Sequence, residues 1–199
     1  MKYLLFISVL VLGVSCKRKQ VSPESFLAYV DDPSNGLIRK EEIGDLVFSF
    51  QYRPPAYEVL RNNKSEPALA DMFDTRVQEQ GTMQYFLFRI GTKAKGQDVL
   101  AMNKAGADYN TMIDYFNTRI IDDMKLVDGK DTLPCVIHHW ERTYHIAGYQ
   151  TLMLGFEAPT ETAHHNTKTL VYEDQLFGIG RLQLSIAGND IDNIPQITF

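Results

Sequence analysis

Leu46, Phe48, Phe50 and Tyr52 alternate with Val47, Ser49, Gln51 and Arg53. Period two of this kind predicts a strand with one strongly apolar face. Pro54-Pro55 ends it. Proline is tolerated in a first helical turn, so Ala56 to Asn62 reads as a short helix. Ser65 has the chemistry of an N-cap, and Leu69, Met72, Phe73 and Val77 follow at helical spacing. Met83 to Ile90 alternates again, with Met83/Tyr85/Leu87 on one face and Phe86/Phe88/Ile90 on the other. Both faces are apolar, which predicts a strand buried on both sides. The clearest helix begins near Asp108, with Tyr109, Met112, Ile113, Phe116 and Ile120 on one stripe.

From Met124 onward the pattern is β. Lys125-Leu126-Val127 leads into Asp128-Gly129, a hairpin turn signal. Cys135 to His145 reads as a long strand, with Tyr149 to Phe156 as its partner across Ala147-Gly148. Glu157 to Lys168 is polar and reads as a loop, and Leu170 to Tyr172 and Gly180 to Ile186 read as further strands. There is no internal repeat. Strands in succession with a few inserted helices predict a single α+β domain, built on an antiparallel sheet or a β-sandwich-like core.

The start of the chain has a different pattern. Lys2 precedes an apolar run from Tyr3 to Leu12 broken only by Ser8, then Gly13-Val14-Ser15 and Cys16. The run is about half of the roughly twenty residues a membrane-crossing helix needs. It has the form of a secretory signal peptide. It resembles the lipoprotein signal of bacteria, with Leu12 one place earlier than the family's pattern sets it. The resemblance implies that Cys16 is acylated (palmitate among its acyl chains) and becomes the new N-terminus. Residues 1–15 are then a signal peptide, 16–36 an acylated cysteine and tether, and 37–199 the globular domain. Phe26, Leu27, Tyr29 and Val30 interrupt the polar tether and have the makings of a short docked helix. Lys17, Arg18 and Lys19 beside the anchor suit anionic headgroups. Lys17 is not the Asp of an inner-membrane retention signal, so the expected address is the outer membrane, facing the periplasm.

A second resemblance runs over the start and end of the remaining chain. Asp32-Pro33-Ser34-Asn35-Gly36-Leu37, Ile43-Gly44-Asp45-Leu46 before Phe48-Ser49-Phe50-Gln51-Tyr52-Arg53-Pro54, and the closing Ile194-Pro195 are similar to uncharacterised lipoproteins of Bacteroidota. It implies a lipidated, single-domain protein of the same class and brings no catalytic residues with it.

Composition narrows the partners. With 199 residues, 44% hydrophobic, the chain is long enough for one well-buried core. A net charge of -5 and the lack of any long Lys/Arg run beyond the tether exclude a nucleic-acid partner. The expected contacts are the membrane, through the lipid, and a protein partner in the envelope. No cofactor is implied. Cys16 and Cys135 are the 2 cysteines, so an acylated Cys16 leaves Cys135 as an unpaired thiol.

The chemistry-bearing candidates lie late in the chain. His139, Glu141 and His145 share a strand face with Cys135, while His138 shares the other with Trp140 and Tyr144. His, Glu and Cys all bind zinc. His139 and His145 are roughly 20 Å apart in an extended strand and cannot share one ion. His139 and Glu141, about 7 Å apart, would have to recruit His164 and His165 from the loop. Cys135 would need a histidine base to act as a nucleophile, and free cysteine more often packs as a small hydrophobe. No Gly-x-Ser-x-Gly occurs, and Gly178-Ile179-Gly180 lacks the rest of a dinucleotide fingerprint and suits a tight turn. Asp190 and Asp192 lack the spacing of a calcium loop. With 11 Phe, 10 Tyr and 1 Trp, the aromatic content is high. Tyr52, Tyr57, Trp140, Tyr144 and Tyr149 are the candidates for an exposed partner surface. The expected function is therefore a non-enzymatic binding or assembly role. The alternatives are a metal- or cysteine-dependent hydrolase using His139, Glu141 and Cys135, and a metal-binding lipoprotein using the histidines.

Overall fold

The computed structural model describes residues 19–63, 69–94, 96–142, 148–158 and 166–199. In chain order these form β1 (Gln20–Val21), α1 (Pro23–Asp31), β2 (Ile38–Ile43), β3 (Leu46–Arg53), α2 (Pro55–Asn62), α3 (Leu69–Gln80) and β4 (Met83–Thr92). Then come α4 (Tyr109–Asp114), β5 (Met124–Asp128), β6 (Asp131–Pro134), β7 (Ile137–Glu141), β8 (Tyr149–Glu157), β9 (Lys168–Glu173), β10 (Arg181–Ile186), α5 (Gly188–Asp192) and β11 (Gln196–Ile197). The fold is α+β. One antiparallel sheet runs β2-β3-β4-β8-β7 and a second runs β10-β9-β5-β6, while β1 and β11 pair in parallel.

The two larger sheets face each other through the apolar positions that alternate in sequence. Phe48, Phe50, Phe86, Phe88 and Phe156 are fully buried on the inner face of the five-stranded sheet. Phe50 stacks on Phe86 at 4.6 Å, and Phe88 meets Tyr172 of β9 edge-on at 5.7 Å. Each such ring contributes about 1.5–3 kcal/mol by leaving water. A polar link also crosses the sheets. Asp128 at the end of β5 accepts from the Lys168 ammonium at 2.7 Å and from Gln84 of β4 at 3.0 Å, all three buried. Taking those charges out of water demands this pairing.

Several expectations change. Residues 20–36 belong to the folded body and not to a tether, and the docked helix expected around Phe26 to Val30 is α1. Ser22 caps α1 by accepting from Ser25 N, and Phe26 and Val30, four residues apart on one helix face, are buried. β1 then pairs with β11, so both ends of the described chain meet. The stripe beginning at Asp108 is an α-helix only to Asp114, and a π-turn follows over Tyr115–Arg119. The wider turn brings Tyr115 inward beside Phe116, while Tyr109 and, on α3, Met72 stay exposed. The long strand expected from Cys135 begins at Ile137, because Cys135-Val136 is where the chain changes sheets. Cys135 N donates to Met124 O on β5, and Val136 N donates to Gly155 O on β8. The Ser65 cap lies outside the described residues.

Candidate functional site

The outer face of the five-stranded sheet carries the clearest cavity. Alternation along β3 turns Ser49, Gln51 and Arg53 away from the inner core, and pairing sets Ser49 opposite Arg89 and Gln51 opposite Leu87 on β4. Pro54 and Pro55 stop the strand and turn the chain into α2, with Tyr57 N donating to Pro54 O at 2.8 Å. Tyr57 and Arg61, one helical turn apart, then share one face of α2. Helices α1 and α2 cover only this end of the sheet. Between them lies a cavity of about 470 Å³, lined by Leu27, Asp31, Ile38, Gln51, Arg53, Tyr57, Arg61 and Arg89.

Arg53 is its unusual member. The residue is 2% exposed, yet its one ionic contact among the described residues is Nη1 to Glu58 Oε1 at 3.4 Å, long for a charge-assisted bond. Its Nε is buried and has no partner among the described residues. The guanidinium carbon sits 5.2 Å from the Tyr57 ring, a cation–π contact. Burial pulls the Arg53 pKa down, opposed by Tyr57 and Glu58 and reinforced by the nearby guanidiniums of Arg61 and Arg89. It stays charged at any physiological pH. Asp31 holds the opposite wall. Its Oδ1 accepts from Tyr57 Oη at 2.9 Å and from Gln51 Nε2 at 3.0 Å, and Gln51 also donates to Val30 O at 3.1 Å. Burial first, then this bond to Asp31, pushes the Tyr57 hydroxyl above its ordinary range. Three guanidiniums against the carboxylates of Asp31 and Glu58 leave the site with one excess positive charge.

Of the residues singled out by sequence, Tyr57 lines this cavity, and the metal and nucleophile candidates lie elsewhere. His139 and Glu141 are exposed on β7, the edge strand. They share the outer face with the cavity, since His139 pairs with Met153 and Met153 with Leu87, but at least two strand spacings, roughly 10 Å, from its β4 wall. His145, His164 and His165 lie outside the described residues, as does Cys16. Among the described residues no three His, Cys, Asp or Glu side chains come together as a metal site would require. Cys135 does not share a face with His139. It is buried where the chain changes sheets, its thiol donating to Ile137 O at 3.2 Å, and burial pushes its pKa up to about 11. A thiol so placed is a packed hydrophobe and a poor nucleophile.

The expected aromatic surface is largely interior. Tyr52, Tyr57 and Trp140 are buried, Trp140 donating to Gln150 at 3.0 Å. Tyr149 is exposed, with the Arg89 guanidinium 5.4 Å from its ring, and Tyr144 lies outside the described residues. Gly178 and Gly180, both at positive φ, form the tight connection between β9 and β10 that Asp174 organises by accepting from Leu176, Phe177 and Ile179 N. Asp190 and Asp192 sit on α5, and Asp190 pairs with Arg39 at 3.7 Å. An apolar groove of about 630 Å³ lies between Phe26, Phe73 and Val77 on the helices and the closing Ile194 to Phe199.

The cavity's own arginines carried no sequence signal as a group. Arg53 stands out only as a charge closing a strand, and the register that brings Arg89 beside Ser49 is a tertiary fact.

No family model matches the chain, and no curated protein matches it. Similar solved structures include a DUF4426 family protein from Pseudomonas aeruginosa, 8% identical, with a TM-score of 0.36 over 75% of this chain and 90% of that one. Another is a protein of unknown function from Burkholderia pseudomallei, 11% identical, with a TM-score of 0.38 over 88% of this chain and 94% of that one. Likenesses at this level carry no functional argument.

Proposed function

We propose that this chain is a lipid-anchored protein of the bacterial envelope, held through Cys16 in the outer membrane with its domain facing the periplasm. Its role is to bind a small ligand rather than to catalyse a reaction. The signal-like segment ending at Cys16 supports the location. The outer-face cavity of about 470 Å³ supports the binding role, because its size suits a small molecule and its largely polar, arginine-rich lining suits a polar one. Its polar lining is arginine, glutamine, tyrosine and one aspartate, a set suited to recognition, and Asp31 and Tyr57 are already engaged with each other. A protein partner that receives or presents the ligand in the envelope fits the same reading.

Location and binding are tested separately. The full chain expressed in its native envelope should fractionate with outer membranes, incorporate palmitate and resist protease in intact cells. Cys16→Ala should lose the label and keep residues 1–15 uncleaved. A Cys16→Ala protein that still incorporates palmitate contradicts the anchor. For binding, Leu27→Trp fills the cavity from its α1 wall. Ligand-observed NMR with a panel of small polar molecules should find binders to the wild type that the filled variant no longer holds. Equal binding by both proteins contradicts the assignment of the cavity.

A further inference from the structure

Resting on the reading of this cavity as a ligand site, we infer that its ligand is an organic oxyanion, a carboxylate or phosphate ester, with Arg53 as the buried anchor and Arg61 and Arg89 completing the cationic wall. Three observations converge on it. First, the Arg53 guanidinium is buried with one long contact to Glu58 and an Nε that meets no partner among the described residues. A buried cation this poorly compensated costs the fold several kcal/mol, and an anion in the cavity offsets that cost. Second, the cavity has one excess positive charge, which a carboxylate or a phosphate diester neutralises and a phosphate monoester more than offsets. Guanidinium forks match the paired oxygens of carboxylate and phosphate. Third, a bare oxyanion is far smaller than about 470 Å³, and Leu27 and Ile38 give the cavity apolar wall. The anion therefore carries an organic body. Asp31, already engaged by Tyr57 and Gln51, repels the anionic head and directs it toward the arginines.

The experiment is calorimetric titration of the full chain, solubilised in a non-ionic detergent, with acetate, inorganic phosphate, benzoate, phenyl phosphate, dihexanoyl phosphatidylglycerol and the neutral benzyl alcohol. Benzoate or phenyl phosphate should bind at least tenfold more tightly than benzyl alcohol, acetate or inorganic phosphate. Arg61→Gln and Arg89→Gln, neither of them a core residue, should each weaken that binding about tenfold, and added sodium chloride should weaken it further. Dihexanoyl phosphatidylglycerol binding more tightly than phenyl phosphate assigns the anion to a lipid headgroup, and the reverse order assigns it to a free solute. Benzyl alcohol binding as well as benzoate, in a manner Leu27→Trp abolishes, overturns the anion while leaving the cavity a ligand site. Inorganic phosphate or acetate binding as tightly as the organic acids overturns the organic body. No binding by any of the panel overturns the inference, and the broader NMR screen then decides the cavity by itself.

Discussion

Arg53 reaches Glu58 at 3.4 Å with both side chains buried, at the wall of the outer-sheet cavity. The pair joins the end of β3 to α2 across the Pro54-Pro55 turn. Removing one member leaves the other as an unmatched buried charge.

Glu58→Gln should therefore lower the free energy of unfolding by about 3 kcal/mol. Arg53→Met with Glu58→Leu, which removes both charges, should recover most of the loss. Urea denaturation of the two variants checks this. A single variant as stable as the wild type would show that solvent or another group compensates Arg53.

The Cys135 thiol gives a pH dependence of known sign. Its folded pKa is raised to about 11 from an ordinary 9.0, so between these values the folded state binds more protons than the unfolded chain. Stability must then fall as pH rises through that window, by about 2–3 kcal/mol in all. The difference in stability between wild type and Cys135→Ala should move against the wild type by that amount between pH 8.5 and 11. At pH 7.5 the native thiol should react with iodoacetamide far more slowly than the urea-unfolded one. Equal rates would place Cys135 at the surface.

Two glycines at positive φ separate strain from contact. At Gly44, φ is +60° and nothing lies within 4 Å of an added Cβ, so Gly44→Ala should cost only the conformational penalty of about 1–2 kcal/mol. At Gly36, φ is +76° and an added Cβ collides with the Asp190 carboxylate, which must leave Arg39. Gly36→Ala should cost more, and Asp190→Ala should narrow the gap between the two. Thermal unfolding of the single and paired variants measures it.

Strand alternation was legible because one apolar core fills the space between the two larger sheets. Leu46, Phe48, Phe50 and Tyr52 are buried where period two places them. The same logic overreached at β4. Its inner Phe86, Phe88 and Ile90 are fully buried, but the outer row ends at exposed Arg89, since α1 and α2 cover only part of that face. The helix at α1 was legible from Phe26, Leu27, Tyr29 and Val30 within a polar segment, and Phe26 and Val30 are its buried pair. The cavity was not legible at all. Arg53, Arg61 and Arg89 come from a strand, a helix and the adjacent strand, and only the turn at Pro54-Pro55 and the pairing of β3 with β4 bring them together. His139 and Glu141 drew attention by residue type, and the edge position of β7 leaves them open to solvent.

The most direct test of the cavity as an anion site is the ¹⁵Nε–¹Hε resonance of Arg53 in the detergent-solubilised full chain, followed as benzoate and then phenyl phosphate are added. A saturable shift of that signal is expected as the anion settles beside the guanidinium, unmatched by benzyl alcohol and lost in Leu27→Trp. An Arg53 signal that stays in place at saturating concentrations of both acids would contradict it.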